Sequence, residues 1–381
     1  MHIDRYRKSD LYKCPRCTFC GGWYLDEVCQ VRRKFGFNSY FALGRLRNTV
    51  AILDGLAEYN QDLADRLFYC FLCGKCKEKC IGIDTPEITK DMRADVTELG
   101  FEIPEGVKKL VEAVERTHNI FGASPQERGE WVEGKKPPKK GDVLYFVGCM
   151  ASYRLPEIPQ ATAKILEASG IKYAYLDEEE WCCGNPLFLL GQYDLAREVA
   201  RRNLERFRET GAKTLLTACP GCFRAFNQEY PKVLGEKLPL EVKHSTQFFL
   251  DLIKQKKLPS FKEIKETVVW HDPCDLGRHS KVYLPPRKIL ASIPGITLVE
   301  AEKNRADALC CGGGGGVKAA HPEVSVEIGT WKLRDDFIPT GAKTIVSGCP
   351  SCKWNITDAI EAAKSDLKII DITELLAEAI G

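Results

Sequence analysis

The chain has 381 residues, with 55 lysines and arginines against 53 aspartates and glutamates, 44% hydrophobic residues and 18 cysteines. A net charge of +2 leaves no basic field of the size a polynucleotide binder uses, which argues against nucleic acid as a partner. No apolar run approaches the roughly 18 residues of a membrane span. The polar start from Met1 to Asp10 also lacks a signal peptide's apolar core, so the expected location is cytoplasmic, with membrane association only through a partner.

Taken in chain order, residues 1–122 hold two four-cysteine groups and read as helical between and after them. Leu46, Val50, Leu53 and Ala57 recur at helical spacing; Ile88, Met92, Val96 and Leu99 do so behind Pro86, with Gly100 as a stop. Residues 123–141 turn to Pro, Gly, Lys and Glu and predict a linker. Beyond it, short β-type runs such as Val143 to Val147 and Lys172 to Leu176 alternate with amphipathic stretches such as Ala161 to Ala168, the signature of an α/β fold.

That region is written twice. Gly211-Ala-Lys-Thr-Leu-Leu-Thr-Ala-Cys219-Pro-Gly-Cys222 returns as Gly341-Ala-Lys-Thr-Ile-Val-Ser-Gly-Cys349-Pro-Ser-Cys352, identical at 7 of 12 positions. Cys182-Cys183-Gly184 returns as Cys310-Cys311-Gly312, and Cys149 matches Cys274. The repeat predicts two homologous α/β lobes, 142–262 and 263–381. In each, a β-type run ends at a Cys-Pro-x-Cys pair, which puts these cysteines at a strand's C-terminal end, the ligand side of such sheets.

In a reducing compartment these cysteines are better explained as metal ligands than as disulfides. Cys70-x2-Cys73-x2-Cys76-x3-Cys80 has [4Fe–4S] spacing. Cys14-x2-Cys17-x2-Cys20 is followed by Cys29 after a longer gap. In two-cluster ferredoxin modules the fourth cysteine of each run serves the other cluster, which predicts Cys14, Cys17, Cys20 and Cys80 on one cubane and Cys70, Cys73, Cys76 and Cys29 on the other. A pair of zinc knots is the alternative, but zinc usually joins two separated Cys-x2-Cys units rather than a triplet.

Each lobe's five cysteines, Cys149, Cys182, Cys183, Cys219 and Cys222 or Cys274, Cys310, Cys311, Cys349 and Cys352, exceed the need of a single zinc or one cubane. Adjacent cysteines serve one centre only where the chain turns sharply or the centre is large and irregular. The glycines that follow, Gly184 and the run Gly312 to Gly316 with Gly312 and Gly313 foremost, let backbone N–H groups approach such a centre. Thioredoxin-type dithiol chemistry at Cys219-x2-Cys222 and Cys349-x2-Cys352 fits less well, because each pair is tied to a Cys-Cys-Gly at near-constant distance.

This doubled pattern resembles the CCG domain of the heterodisulfide reductase family, and a two-cubane module before two such lobes resembles that family's fused catalytic subunit across essentially the whole chain. The resemblance implies a noncubane [4Fe–4S] cluster on each five-cysteine set. It implies disulfide reduction in one-electron steps at two noncubane clusters fed by two cubanes. Exposed multi-cluster iron–sulfur proteins are oxygen-labile, so an anaerobic host is expected. Similar architecture occurs in iron–sulfur subunits of lactate, glycolate and anaerobic glycerol-3-phosphate dehydrogenases. A second function therefore stays open, relay of electrons from a flavin-dependent 2-hydroxyacid dehydrogenase towards a quinone-type pool, and it predicts no substrate pocket between the lobes. A third is an assembly module whose clusters only hold the fold.

On the first reading Cys183 and Cys311 are catalytic, and His271 or His279, which titrate near neutral pH, protonate a product thiolate. Arg278 and Lys318 are candidates to bind an anionic group of the substrate. With electron carriers but neither a dinucleotide fingerprint nor a membrane span, the chain implies a redox partner protein, a flavoprotein or a membrane cytochrome subunit.

Overall fold

A computed structural model describes residues 1–12, 28–80 and 82–381. Cys14, Cys17 and Cys20 lie outside the described residues. The first part is helical as expected. In the helix Ala42–Leu53, Leu46 and Val50 are buried, but Ala57 lies beyond its end and is exposed, because Gly55 takes a positive φ of 70° and turns the chain. The helix Thr85–Glu98 starts on an Asp84 cap with Pro86 in its first turn, and it buries Ile88, Met92 and Val96. Leu99, the last member of that stripe, is exposed.

The remainder is α/β and holds two parallel sheets of one topology. Strands β1 (Val143–Tyr145), β2 (Tyr173–Ala174), β3 (Thr214–Thr217) and β4 (Glu241–His244) lie in the order β2-β1-β3-β4. Strands β5 (Glu266–Trp270), β6 (Ile296–Val299), β7 (Thr344–Ser347) and β8 (Lys368–Asp371) repeat it as β6-β5-β7-β8. Val143 pairs with Thr214 in the first sheet and Val268 with Thr344 in the second. In each sheet the strand order reverses between the two central strands, and the crevice beyond their carboxyl ends is where such sheets hold ligands.

The two sheets share one core. The helix Glu157–Ala168 of the first repeat packs on Ile372–Ile380 of the second, and Ser245–Lys254 packs on Leu284–Ser292. Ile158, Ile165, Phe249, Val268, Trp270, Ile289 and Leu376 meet there. The boundary near residue 262 thus divides two repeats that are joined through one core on their facing sides, while each keeps a further core of its own.

The expected linker is a correction. Residues 125–131 fold onto the first sheet, burying Arg128 and Trp131, with Trp131 Nε1 donating to Tyr175 Oη at 3.1 Å. Its charged stretch from Glu133 to Lys136 is exposed. Composition hid this, because one tryptophan among charged residues carries most of the burial.

The helical part is bound to both repeats. The Arg93 guanidinium, fully buried, donates to the carbonyls of Leu67, Cys70, Leu189 and Gly315. Arg224 joins Asp275 at 2.9 Å and Glu229 at 3.5 Å, and Glu229 meets Lys90 at 3.0 Å.

Candidate metal centre between the two sheets

All four central strands lead, within four residues of their carboxyl ends, to a cysteine. After β1 the chain passes Gly148 to Cys149, the first residue of the short helix Cys149–Arg154; β3 leads to Cys219, which precedes Pro220–Arg224 and its Cys222. In the second sheet β5 leads to Cys274, and β7 to Cys349, whose sulfur caps the helix Pro350–Ala363 that carries Cys352. Proline in the first turn of the helices after β3 and β7 suits a chain that must stop a strand and start a helix at once. The pairs Cys182–Cys183 and Cys310–Cys311 arrive on loops after β2 and β6.

These loops enclose a cavity of about 410 Å³, lined by all five cysteines of the first set and by Cys274, Cys311, Cys349 and Cys352 of the second. Its wall continues past the sulfurs to Leu110, Phe121, Trp354, Lys109 and Lys318. Cys311 and Cys352 lie 3.2 Å apart at sulfur. Three of the glycines after the cysteine pairs donate to cysteine sulfur: the N–H of Gly184 to Cys182 Sγ, of Gly312 to Cys310 Sγ and of Gly313 to Cys311 Sγ, each at 3.4 Å. At Gly312 φ is +88° and a Cβ would fall 2.3 Å from the Ser325 carbonyl oxygen, so only glycine fits. The rest of the run serves another purpose, since a Cβ on Gly315 would fall 2.5 Å from the Cys70 carbonyl oxygen.

The second cysteine of each pair is the acidic one. Hydrogen bonds from Cys182 and Cys222 hold the Cys183 thiol down to about 6, and those from Cys310 and Cys352 hold Cys311 well below the usual thiol range, with His271 adding to it. Soft, buried thiolates with backbone N–H groups aimed at them are a donor set that fits an iron–sulfur group.

The expected side-chain roles fare differently. His271 is 2% exposed, within 4.8 Å of the Cys311 and Cys352 sulfurs, with neither ring nitrogen hydrogen-bonded; it lies behind Cys311 and does not line the cavity. His279 is turned away. Its Nε2 pairs with the Leu72 carbonyl at 2.9 Å, its ring packs on Gly74, and burial pushes its pKa well down, so it braces the Cys70–Cys76 loop. Arg278, expected at the substrate, is 3% exposed and donates to the carbonyls of Cys73 at 2.6 Å and Ala308 at 2.7 Å. Lys318 does line the cavity, with its ammonium on Asn355 and Asp358 and over the Trp354 ring.

Two residues that sequence reasoning passed over touch the first set. Arg128 Nη2 lies 3.6 Å from Cys149 Sγ, and its Nη1 pairs at 2.8 Å with Glu180, whose carboxylate also accepts the N–H groups of Val147 and Gly148. No motif marks either residue.

A second, small cavity of about 40 Å³ is lined by Cys29, Cys70, Cys73, Cys76 and Cys310. It gathers the four thiols expected on one cubane, with Cys80 outside it. Cys310 of the second set lines this cavity beside Cys73, and its thiol holds that of Cys73 down to about 5. The helical part therefore meets the second cysteine set.

Family models match as a cysteine-rich domain over residues 143–227 and again over 268–357, and as a 4Fe-4S dicluster domain over 10–81. The chain is 40% identical over 400 residues to one subunit of the dihydromethanophenazine:CoB–CoM heterodisulfide reductase of Methanosarcina mazei, covering 100% of this chain and 96% of that one. It is 28% identical over 337 residues to EtfAB:quinone oxidoreductase of Syntrophomonas wolfei, covering 83% of this chain and 47% of that one. In fold it resembles a crystal structure of a hypothetical protein from Helicobacter pylori, at a TM-score of 0.55 and 9% identity over 98% of this chain and 77% of that one.

Proposed function

The chain belongs to the heterodisulfide reductase family of iron–sulfur oxidoreductases, and from that premise we propose that it reduces a small-molecule disulfide in the cavity between its two sheets. The observation that carries this reading is the cavity itself: opposed cysteine sets face one space whose wall extends beyond them to apolar side chains and two lysines. A relay needs no such space. The two five-cysteine sets would each hold a noncubane cluster and the N-terminal cysteines two cubanes, Cys70, Cys73, Cys76 and Cys29 on one of them. When bound, such clusters supply electrons singly. Cleaving one S–S bond takes two electrons and two protons and yields two thiols, so each sulfur of the substrate receives one electron from the set it faces.

The chain's own residues give that space its character. Phe121 and Trp354 offer apolar surface to a substrate's carbon chain, and Lys318, partly neutralised by Asp358, offers a weak anion contact. His271 acts through Cys311, as an orienting neighbour of the sulfur, rather than as an acid in the cavity. Electrons enter through a redox partner, a flavoprotein or a membrane cytochrome subunit. Among the described residues no helix is long and apolar enough to cross a membrane.

A second reading, electron relay for a flavin-linked dehydrogenase, draws support from the likeness to EtfAB:quinone oxidoreductase and from the small cavity that Cys73 and Cys310 line together. The experiment is thiol release from a panel of disulfides, the CoM–CoB heterodisulfide among them, by anaerobically prepared protein with reduced viologen as donor. Turnover that vanishes in Cys183→Ala and Cys311→Ala, with cubane signals intact, is the expected result. No thiol from any disulfide, with all clusters loaded and reducible, would leave the relay.

A further inference from the structure

We propose that Arg278 is the positioning cation of the electron step from the Cys73 thiol's cluster to the second cysteine set, its unbalanced charge raising the reduction potential of the clusters it faces. Arg278 sits where the helical part meets the second repeat. Its Nε holds the Cys73 carbonyl and its Nη1 the Ala308 carbonyl, two residues before Cys310, so one guanidinium fixes both loops. Its Nη2 is buried without any hydrogen-bond partner, an orphan that a buried guanidinium does not ordinarily leave. The charges it faces most strongly are the sulfurs of Cys73, Cys274 and Cys310.

No carboxylate is paired with Arg278 among the described residues. Asp307, the nearby acid, is paired with Lys79 at 2.5 Å, and the buried Lys75 adds a second cation facing Cys73. A fixed positive charge in a poorly screened interior favours whichever state of a neighbouring cluster is more negative, which is the reduced one. In the step itself one electron leaves the cluster on the Cys73 side, which is oxidised, and enters the one on the Cys310 side, which is reduced. No covalent bond changes and Arg278 stays protonated. The upstream electron comes from a one-electron donor, the reduced mediators in the test.

The inference rests on the cluster assignment above and not on the disulfide as substrate. Iron and sulfide content of the wild-type protein checks that assignment by itself. The test is a mediated redox titration of the whole anaerobic protein, followed by electron paramagnetic resonance, for wild type, Arg278→Gln and Arg278→Lys. In Arg278→Gln the oxidised-to-reduced ratio at fixed potential is expected to rise about tenfold for the clusters Arg278 faces, a midpoint lower by about 59 mV. Arg278→Lys keeps the charge but cannot reach both carbonyls, so a shift between twofold and fivefold is expected. The cluster of the first set, which does not face Arg278, stays at its wild-type midpoint and serves as the internal reference. Unshifted midpoints in whichever variant retains its iron would overturn the proposal. So would an equal shift of every cluster, or failure of both variants to hold iron, which would make Arg278 a residue of folding alone.

Discussion

The two cysteine sets are one motif written twice on sheets of one topology, and each has an arginine at its edge. In the first, Arg128 approaches Cys149 but is paired at 2.8 Å with Glu180, both fully buried. In the second, Arg278 lies by Cys274 and Cys310 with only carbonyls for partners, and Cys310 lines a small cavity with Cys73 of the Cys70–Cys76 loop. The repeats therefore differ less in what they contain than in what packs against them. A neutralised arginine is a structural brace, whereas an unpaired one is a local field.

The largest effect that tests this difference is on electron flow. If electrons enter through the second set, Cys311→Ala should block reduction of the first set's cluster by the cubanes, while Cys183→Ala leaves the second set reducible. Both should lower thiol release by on the order of 100-fold or more. Rapid-freeze resonance spectra of the two variants read the asymmetry directly, and equal reducibility would break it.

Next in size is the pair that balances the first set. Glu180→Gln leaves the Arg128 cation buried without a counter-charge and should cost about 3–5 kcal/mol in unfolding free energy. It should also raise the first set's midpoint, making that set resemble the second. Denaturation with a parallel redox titration checks both.

A further contrast lies in pH response, because equivalent residues open the last helix of each repeat. His244 caps Ser245–Lys254 and is held by burial down to about 4; Asp371 caps Ile372–Ile380 and is held by burial up to about 7. Between pH 6.5 and 4 the unfolded chain protonates His244 while the folded one does not, so this residue makes stability fall as pH falls. Between pH 7 and 3.8 the folded chain keeps Asp371 protonated while the unfolded one ionises, so this residue makes stability rise as pH falls. The two oppose each other. Asp371→Asn should expose the acid loss and His244→Gln the acid gain, each up to about 3 kcal/mol across that window. Thermal midpoints from pH 4 to 7 that move in the same direction in both variants would refute the assignment.

The smallest effect is steric. Alanine at Gly184 meets only ordinary contacts, the nearest at 3.5 Å, and should cost about 1 kcal/mol for its positive φ, whereas alanine at Gly312 collides with the Ser325 carbonyl and should cost about 3 kcal/mol or more. Matched denaturant titrations of the two variants measure the gap.

Much of the site was legible because its chemistry is carried by a residue type whose spacing is informative. Strand-ending Cys-Pro-x-Cys pairs and the glycines after Cys183 and Cys311 stand where an α/β repeat puts them, and the amide donors follow from the absence of a Cβ. Side chains with no spacing signature were misjudged. Arg278 and His279 follow Cys274 closely in sequence, yet their reach is taken up by the Cys70–Cys76 loop, from residues some 200 positions away. Trp131 and Arg128 were hidden in a stretch whose average composition is that of a linker.

By itself the sequence determined the α/β class, the doubling, the family and the sulfur inventory, since these depend on periodicity, repetition and residue type, which are local. Tertiary structure alone decided that the two repeats share a core, that their cysteines face one cavity, and that the Cys70–Cys76 loop meets Cys310 rather than Cys182. Those outcomes depend on which surfaces exclude water together and on where a buried charge finds its partner, quantities that no single segment of the chain encodes.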